Sequence, residues 1–354
     1  MKHFVHEALP GRVVFGWGTL KQLPAEVAAL GCHRALIITT PRQNALAHDI
    51  LHALDGNGAG VFDGAKMHTP VAVTERALGL LRERGADCLV ALGGGSTIGL
   101  AKALALRTDL PQIVVPTTYA GSEATPILGE TKDGKKTTQR SPKILPEVIL
   151  YDVSLTMSLA PSQAATSGMN AIAHAVEALY AKDVSPLITM LAEQGIASFA
   201  QSLPRIAADP EDRKARSDAL YGAWACGVCL GSVGMALHHK LCHTLGGSFD
   251  LPHAETHTVL LPHAAAYNAA AAPEAMARAA RALGAENAPL GLYELAKTLG
   301  APTALCQIGM PESGLDRAAD IAAENPYWNP RPIEREAIRT LLDNAYHGRP
   351  PITP

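Results

Sequence analysis

The sequence predicts an α/β domain followed by an all-helical domain, and three observations carry that prediction. From Val13 to about Asp152, short apolar, β-branched runs alternate with helical stretches. After Asp152 those runs disappear, and the chain becomes Ala-rich with apolar residues repeating at the helical period. The length, 354 residues, also exceeds what a single ordinary core organises. We place the boundary near 152–160, in DVSLTMSLAP, so that residues 1–155 form the α/β domain and residues 156–354 the helical one.

The first domain reads in order as the strand RVVFG, a helix through LKQLPAEVAALG, the strand RALIITT, a helix near ALAHDILHAL, and the strand AGVFDG. A helix from TERALGLLRERG follows, then the strands DCLVALGGG, QIVVPTT and VILYD. Such alternation implies a parallel sheet covered on both faces. The polar segment 128–143, with its Asp-Gly turn signal, predicts a small hairpin or loop at the edge of this domain. In the second domain the helical period is clear in SQAATSGMNAIAHAVEALYA, in PLITMLAEQGIASFAQSLPRIAA and in RKARSDALYGAWACGVCLGSVGMALHHKLCHTLG.

Hydrophobic residues make up 47% of the chain and charged ones 18%, which suffices for two buried interiors. The net charge of −3 and the lack of any Lys/Arg run argue against nucleic-acid and membrane-surface partners and favour small molecules or copies of the chain itself. MKHFVHEALPGRVV has no continuous apolar core, and no apolar run reaches the roughly 18 residues needed to span a bilayer, so a cytoplasmic location is expected. Six scattered cysteines suggest reduced thiols. Cys226 and Cys229 form a C-x-x-C with no second pair, and in their apolar surroundings they read as two small residues on one helix face.

Two clusters point to chemistry. Gly93-Gly94-Gly95-Ser96 joins a strand to a helix, where backbone N–H groups and the helix N-terminus favour a phosphate. The loop is not G-x-G-x-x-G on a first strand, so a nucleotide domain other than the usual dinucleotide fingerprint is expected. Thr117, Thr118, Ser122 and Thr125 follow the next strand, at the end where open α/β sheets bind ligands. The second cluster is HHKLCHTLGGSFDLPHAETH, residues 238–257, which holds five of the fourteen histidines. It raises the question of a metal centre.

GGGST-x-x-x-AK, VPTTYAGSEAT, the pair Asn170/His174 in GMNAIAH, and H-x-x-x-H-x-LG-x6-H from His239 to His253 together resemble the iron-containing alcohol dehydrogenase family. The resemblance spans almost the whole chain. It implies the dehydroquinate synthase-like fold: a dinucleotide-binding domain, a helical domain, and an active site in the cleft between them. In metal-dependent members an Asp and a His four residues apart hold the cation with two further His, which align with His239 and His253. Here the Asp position is Asn170, a neutral amide that brings no charge to offset a dication. The glycine loop has Gly99 where many members carry Asp.

Both departures resemble the maleylacetate reductase branch, as do VPTTYAGSEATPILGE and NPYWNPRPIE. That branch implies NAD(P)H-dependent reduction of maleylacetate to 3-oxoadipate in the breakdown of aromatic rings, without a bound metal, by a homodimer. His243 and His253, with His239 and His174 nearby, are then expected to supply donors and a proton, and Asn170 to orient them. Tyr327, Asn329, Arg331 and Tyr119 are candidates to meet the dicarboxylate substrate. Lys240 and Cys242 read as structural, and so do His238 and His257. The resemblance places Lys136 near the nucleotide. NAD-specific members put an Asp where this chain has Thr40, with Arg42 two residues on, so both NADH and NADPH are expected to serve. The alternatives are a metal-dependent alcohol dehydrogenase of the same family, a lyase of the dehydroquinate-synthase type, and a non-catalytic binding protein.

Overall fold

The computed structural model describes residues 4–9, 11–133, 135–324 and 326–352, without the side chains of Lys135 and Lys136. It divides into two compact units, one of Ala8–Leu159 and one from Ala160 onward. Residues 4–7 go with the second unit rather than with the α/β domain where the sequence reading put them. There His6 Nδ1 lies 3.2 Å from Ser185 Oγ.

In the first unit the strands are β1 (Arg12–Gly16), β2 (Ala35–Ile38), β3 (Gly58–Phe62), β4 (Cys88–Gly93), β5 (Gln112–Pro116), β6 (Ile127–Lys132), β7 (Lys135–Arg140) and β8 (Val148–Asp152). The helices are α1 (Leu23–Ala29), α2 (Asn44–Ala53), α3 (Val71–Arg84) and α4 (Gly95–Thr108). Six strands form one parallel sheet in the order β1-β8-β5-β4-β2-β3. Strand alternation sends Ile37, Val90 and Leu92 to one face, against Leu23, Val27 and Ile50, and sends Leu36, Ile38 and Leu89 to the other, against Leu78, Leu81 and Leu104. Burial on both faces explains why these strands read as unbroken apolar runs rather than alternating ones. β6 and β7 make the expected hairpin, turning at Asp133 with φ of 51°.

The second unit holds α5 (Pro161–Tyr180), α6 (Pro186–Ala208), α7 (Arg213–Ser232), α8 (Leu237–Phe249), α9 (His253–Asn268), α10 (Pro273–Leu283), α11 (Ala288–Thr298), α12 (Leu315–Ala323) and α13 (Arg335–Tyr346). The long periodic run that the sequence presents through SVGM is broken there, and α7 and α8 meet at 94°. No single described helix is long and apolar enough to cross a membrane, although this bent pair passes by length and composition. α8 packs on α9 and α12, and α13 joins the same core, through Leu241, Leu245, Leu260, Ala318 and Leu342. Cys226 and Cys229 are fully buried on α7, as expected of packing residues. An ideal Cβ on Gly195 would stand 2.6 Å from Cys226 Sγ, so α6 and α7 approach closely there.

Candidate active site

The nucleotide loop lies at the C-terminal edge of the sheet, because β4 and β5 are neighbours and both their loops emerge there. Gly94 caps α4 in an extended conformation, and Gly95 and Ser96 open the helix, so their N–H groups have no intrahelical acceptor. An ideal Cβ on Gly94 would sit 2.9 Å from Thr118 Oγ1, so the close approach of the two loops requires glycine. Thr117 Oγ1 accepts from Gln43 Nε2 at 3.0 Å, tying in the turn that follows β2. That turn starts at Thr40 and carries Arg42 exposed to solvent.

Beneath the second loop lies a group whose role the sequence reading missed. Lys102 is fully buried, and its Nζ donates to Ser122 O (2.5 Å), Thr125 O (2.6 Å), Thr125 Oγ1 (2.9 Å) and Ile127 O (3.0 Å). Burial lowers Lys102 to about 7 and raises the fully buried Glu123 to about 7, while their attraction opposes both shifts. With four acceptors around it, Nζ is best satisfied as an ammonium. This cage corrects the expectation for Thr125. Thr125 is 1% exposed and its hydroxyl already holds Lys102 Nζ and Ser122 O, so it shapes the loop rather than meeting a cofactor. Tyr119, expected to face the substrate, is fully enclosed. The side chain of Lys136 lies outside the described residues.

In the helical unit α5 carries Asn170, His174 and Glu177 on one stripe, since spacings of four and seven are about one and two turns. All three are buried. The histidine-rich stretch is not one helix but two. His238, His239 and His243 lie on α8, and His253 and His257 open α9 beyond a turn at Asp250 with φ of 54°. The rings nonetheless gather: His174–His239 centroids are 5.2 Å apart, His239–His257 5.0 Å, His253–His257 4.4 Å and His239–His243 6.2 Å. Among the described residues Asn170 Oδ1, His174 Nδ1 and His239 Nε2 are buried without a partner, so the cluster retains polar atoms for something not made of protein.

The members of this cluster differ in kind. Desolvation pushes His174, His238 and His257 well below the ordinary imidazole value, with neighbouring histidines adding to the effect, so these rings stay neutral. His253 is exposed and His243 partly so, with Nδ1 3.0 Å from Tyr327 Oη. Glu177, fully buried and also missed by the sequence reading, accepts from His239 Nδ1 at 2.7 Å. The signal for it was a third polar residue on the Asn170/His174 stripe.

Potential ligand atoms of His238, Cys242 and His257 lie within 4.8 Å of one another. They already bond internally, His238 Nε2 with His257 Nδ1 at 2.9 Å and with Cys242 Sγ at 3.6 Å. Burial holds the thiol well above its ordinary value, and the second ring nitrogens, His238 Nδ1 and His257 Nε2, have no anchor. A metal-bound imidazole normally has its second nitrogen held, so this trio is packing behind the site.

Two expected substrate residues part company. Tyr327 stays with His243, and Lys240 lies 5.7 Å above its ring. Asn329 is fully engaged: it exchanges two hydrogen bonds with Asn268 (2.7 and 3.0 Å), donates to Arg331 O (2.7 Å) and accepts from Leu237 N (3.4 Å). Arg331 is a correction. Its guanidinium stacks 4.1 Å from the Tyr267 ring centroid and donates to Tyr267 O, lining a cavity of about 380 Å³ with His263, Leu341 and Asn344. Tyr267 is fourteen residues along α9 from His253, or ~21 Å at the helical rise, so Arg331 serves the far end of that helix.

The glycine loop under a parallel sheet, the amide–histidine stripe on α5 and the histidines of α8 and α9 define a nicotinamide-type oxidoreductase framework, and family models agree. The iron-containing alcohol dehydrogenase model matches residues 10–153 and the C-terminal model of the same family matches 164–346, so the chain belongs to that family. Within it the chain groups with the maleylacetate reductases. It is 55% identical over 350 residues to a maleylacetate reductase of Sphingobium indicum, covering 99% of each, and 54% identical to one of Rhizobium sp., covering 99% of this chain and all of the other. The crystal structure of maleylacetate reductase from Agrobacterium tumefaciens superposes with a TM-score of 0.96 at 54% identity, over 99% of this chain and 100% of that one.

Proposed function

We infer that the chain is an NAD(P)H-dependent oxidoreductase that reduces the conjugated carbon–carbon double bond of maleylacetate to give 3-oxoadipate. The full-length identity to maleylacetate reductases carries the reading. Hydride from the reduced nicotinamide adds to the alkene carbon β to the ketone, and the electron pair of the C=C bond moves onto the ketone oxygen as an enolate. A proton then bonds to the carbon α to that ketone. The enolate oxygen is the atom that needs donors, and Asn170, His174 and Tyr327 are the groups we assign to it, with His239 presenting Nε2 beside them as an acceptor. His243 and His253, the two more accessible imidazoles, are the groups that deliver the proton. Replacing either with Ala should lower turnover by roughly 10²-fold; near-normal rates in both variants would remove them from the mechanism.

A divalent cation, when bound, would be held by His174, His239 and His253 with Asn170, and would supply Lewis-acid polarisation of the carbonyl. The donor set fits such an ion in its buried unpartnered atoms, but it contains no carboxylate, because Glu177 is bonded to His239 Nδ1. We therefore propose that turnover does not depend on a metal. The second reading, a metal-dependent alcohol dehydrogenase, draws on the same unpartnered atoms. NADH oxidation followed with maleylacetate and with simple aldehydes, before and after chelation and metal addition, separates them. Activity confined to aldehydes and to the iron- or zinc-loaded protein would overturn the choice.

The cofactor is held by Gly94, Gly95, Ser96 and Thr118, with Thr117 and Ser122 beside them, and the family resemblance adds Lys136. Thr40 leaves no carboxylate to repel a 2′-phosphate, and the exposed Arg42 can accept one. Comparable kcat/KM with NADH and NADPH is expected, and a thousandfold preference for NADH would contradict this. The substrate is a small dicarboxylate; no nucleic acid or membrane takes part. We further propose a cytoplasmic homodimer. The free cysteines and the reduced cofactor favour that compartment, and the edge strand β1 with exposed Val13 and Phe15 favours self-association. A monomeric mass by light scattering would refute the dimer.

A further inference from the structure

We propose that Glu177 is a positioning residue for the reaction: it fixes the tautomer and orientation of His239 so that Nε2, not Nδ1, faces the reacting molecule. The proposal rests on the reading of the histidine cluster given above. Glu177 is 0% exposed, a position that is costly for a carboxylate unless several donors meet it. Four do. Oε2 accepts from Ala236 N at 2.8 Å and from His239 Nδ1 at 2.7 Å, and Oε1 accepts from His238 N at 2.8 Å and from Tyr180 Oη at 3.3 Å.

The two backbone donors belong to the start of α8, where N–H groups have no intrahelical acceptor, so Glu177 acts as a cap supplied from α5. That role alone would account for two bonds. The shortest of the four, however, goes to an imidazole. An ionised carboxylate only accepts, so Nδ1 of His239 carries the hydrogen, and Nε2 points the other way, buried and unpartnered. Capping and aiming are thus done by one group. The helix that bears His239 and the ring itself are set against the same carboxylate, two turns below Asn170 on α5.

The test uses Glu177→Gln, His239→Asn and the double variant, together with protein carrying ¹⁵N-histidine. In the wild type, two-bond ¹H–¹⁵N correlations, with His239 assigned by its loss in His239→Asn, should show Nδ1 protonated. In Glu177→Gln the His239 signal should move toward tautomer exchange, and kcat with maleylacetate should fall about 10- to 100-fold while KM for NADH stays within twofold. The double variant should be no slower than His239→Asn within about threefold, because Glu177 acts through that ring. Losses that multiply in the double variant, or a wild-type His239 protonated at Nε2 alone, overturn the proposal. The spectrum decides alone if Glu177→Gln does not fold. If the wild type fails to turn over maleylacetate, the functional reading falls while the tautomer result still stands or fails by itself.

Discussion

Replacing Gly99 with Ala asks why this glycine loop lacks the side chain that many family members carry there. An ideal Cβ at Gly99 would lie 2.5 Å from Thr69 Oγ1, with Thr69 Cβ next at 3.8 Å. Thr69 cannot retreat freely. It is 4% exposed at a φ of 45°, with its N–H on Lys66 O and its carbonyl accepting from Thr131 N. Two effects then oppose each other. Ala in place of Gly within a helix gains ~1 kcal/mol, whereas overpacking a fixed neighbour costs ~1–3 kcal/mol. Gly99→Ala should therefore destabilise by up to ~2 kcal/mol, which is a fall in Tm of ~2–4 °C per kcal/mol for a unit of this size. In a Thr69→Ala background the nearest atom is at ordinary contact distance, and the same substitution should stabilise. Thermal unfolding of the four proteins gives the coupling directly, with an expected value of ~1–3 kcal/mol. Additive effects within ~0.5 kcal/mol would refute the steric account.

Lys102→Met should remove the ammonium donor that the carbonyls of Ser122, Thr125 and Ile127 share, with Ser122 O keeping the Thr125 hydroxyl, costing on the order of 3 kcal/mol and loosening the loop that follows β5. Weaker NADH binding by fluorescence titration, along with a lower Tm, is the expected result; unchanged affinity in a stable variant would contradict it. Acid should weaken the helical unit earlier than carboxylate titration alone would. Burial lowers His263 to about 4 and holds His174, His238 and His257 well below the usual value, so the unfolded chain binds these protons first, near pH 6.5. Stability is then full above that pH and falls as pH drops toward the folded values, by ~1 kcal/mol per pH unit for each group. A Tm that stays level between pH 7 and 5 would rule this out.

Much of the fold was legible because burial on both faces left apolar runs such as ALII and LVALG between helical periods, and because Asp133 with its neighbour signals a tight turn. The break between α7 and α8 was not legible. SVGM is apolar enough to continue a helical stripe, and nothing local in it states a right-angle bend. The site was half legible. The histidine cluster of α8 and α9 stood out by its density and Asn170 and His174 by the family resemblance, yet Arg331 was misplaced, because a positive charge beside aromatic residues looks the same whether it meets a substrate or stacks on Tyr267. Glu177 and Lys102 stayed hidden for a shared reason. Each is a charged residue inside an apolar helix, and its partners, backbone groups as well as side chains, are for the most part brought near only by the folded chain.

Asn268 and Asn329 are joined by two hydrogen bonds between their side-chain amides, and Asn329 also ties the start of α8 to the segment that presents Tyr327 to His243. Neither amide titrates, and neither bears a net charge for counterions to screen. The placement of Tyr327 should therefore hold from low to high ionic strength and across the acid range in which the buried imidazoles begin to charge. A salt effect on turnover, where one is measured, belongs to the approach of the dicarboxylate and the cofactor phosphates rather than to slackening of this joint.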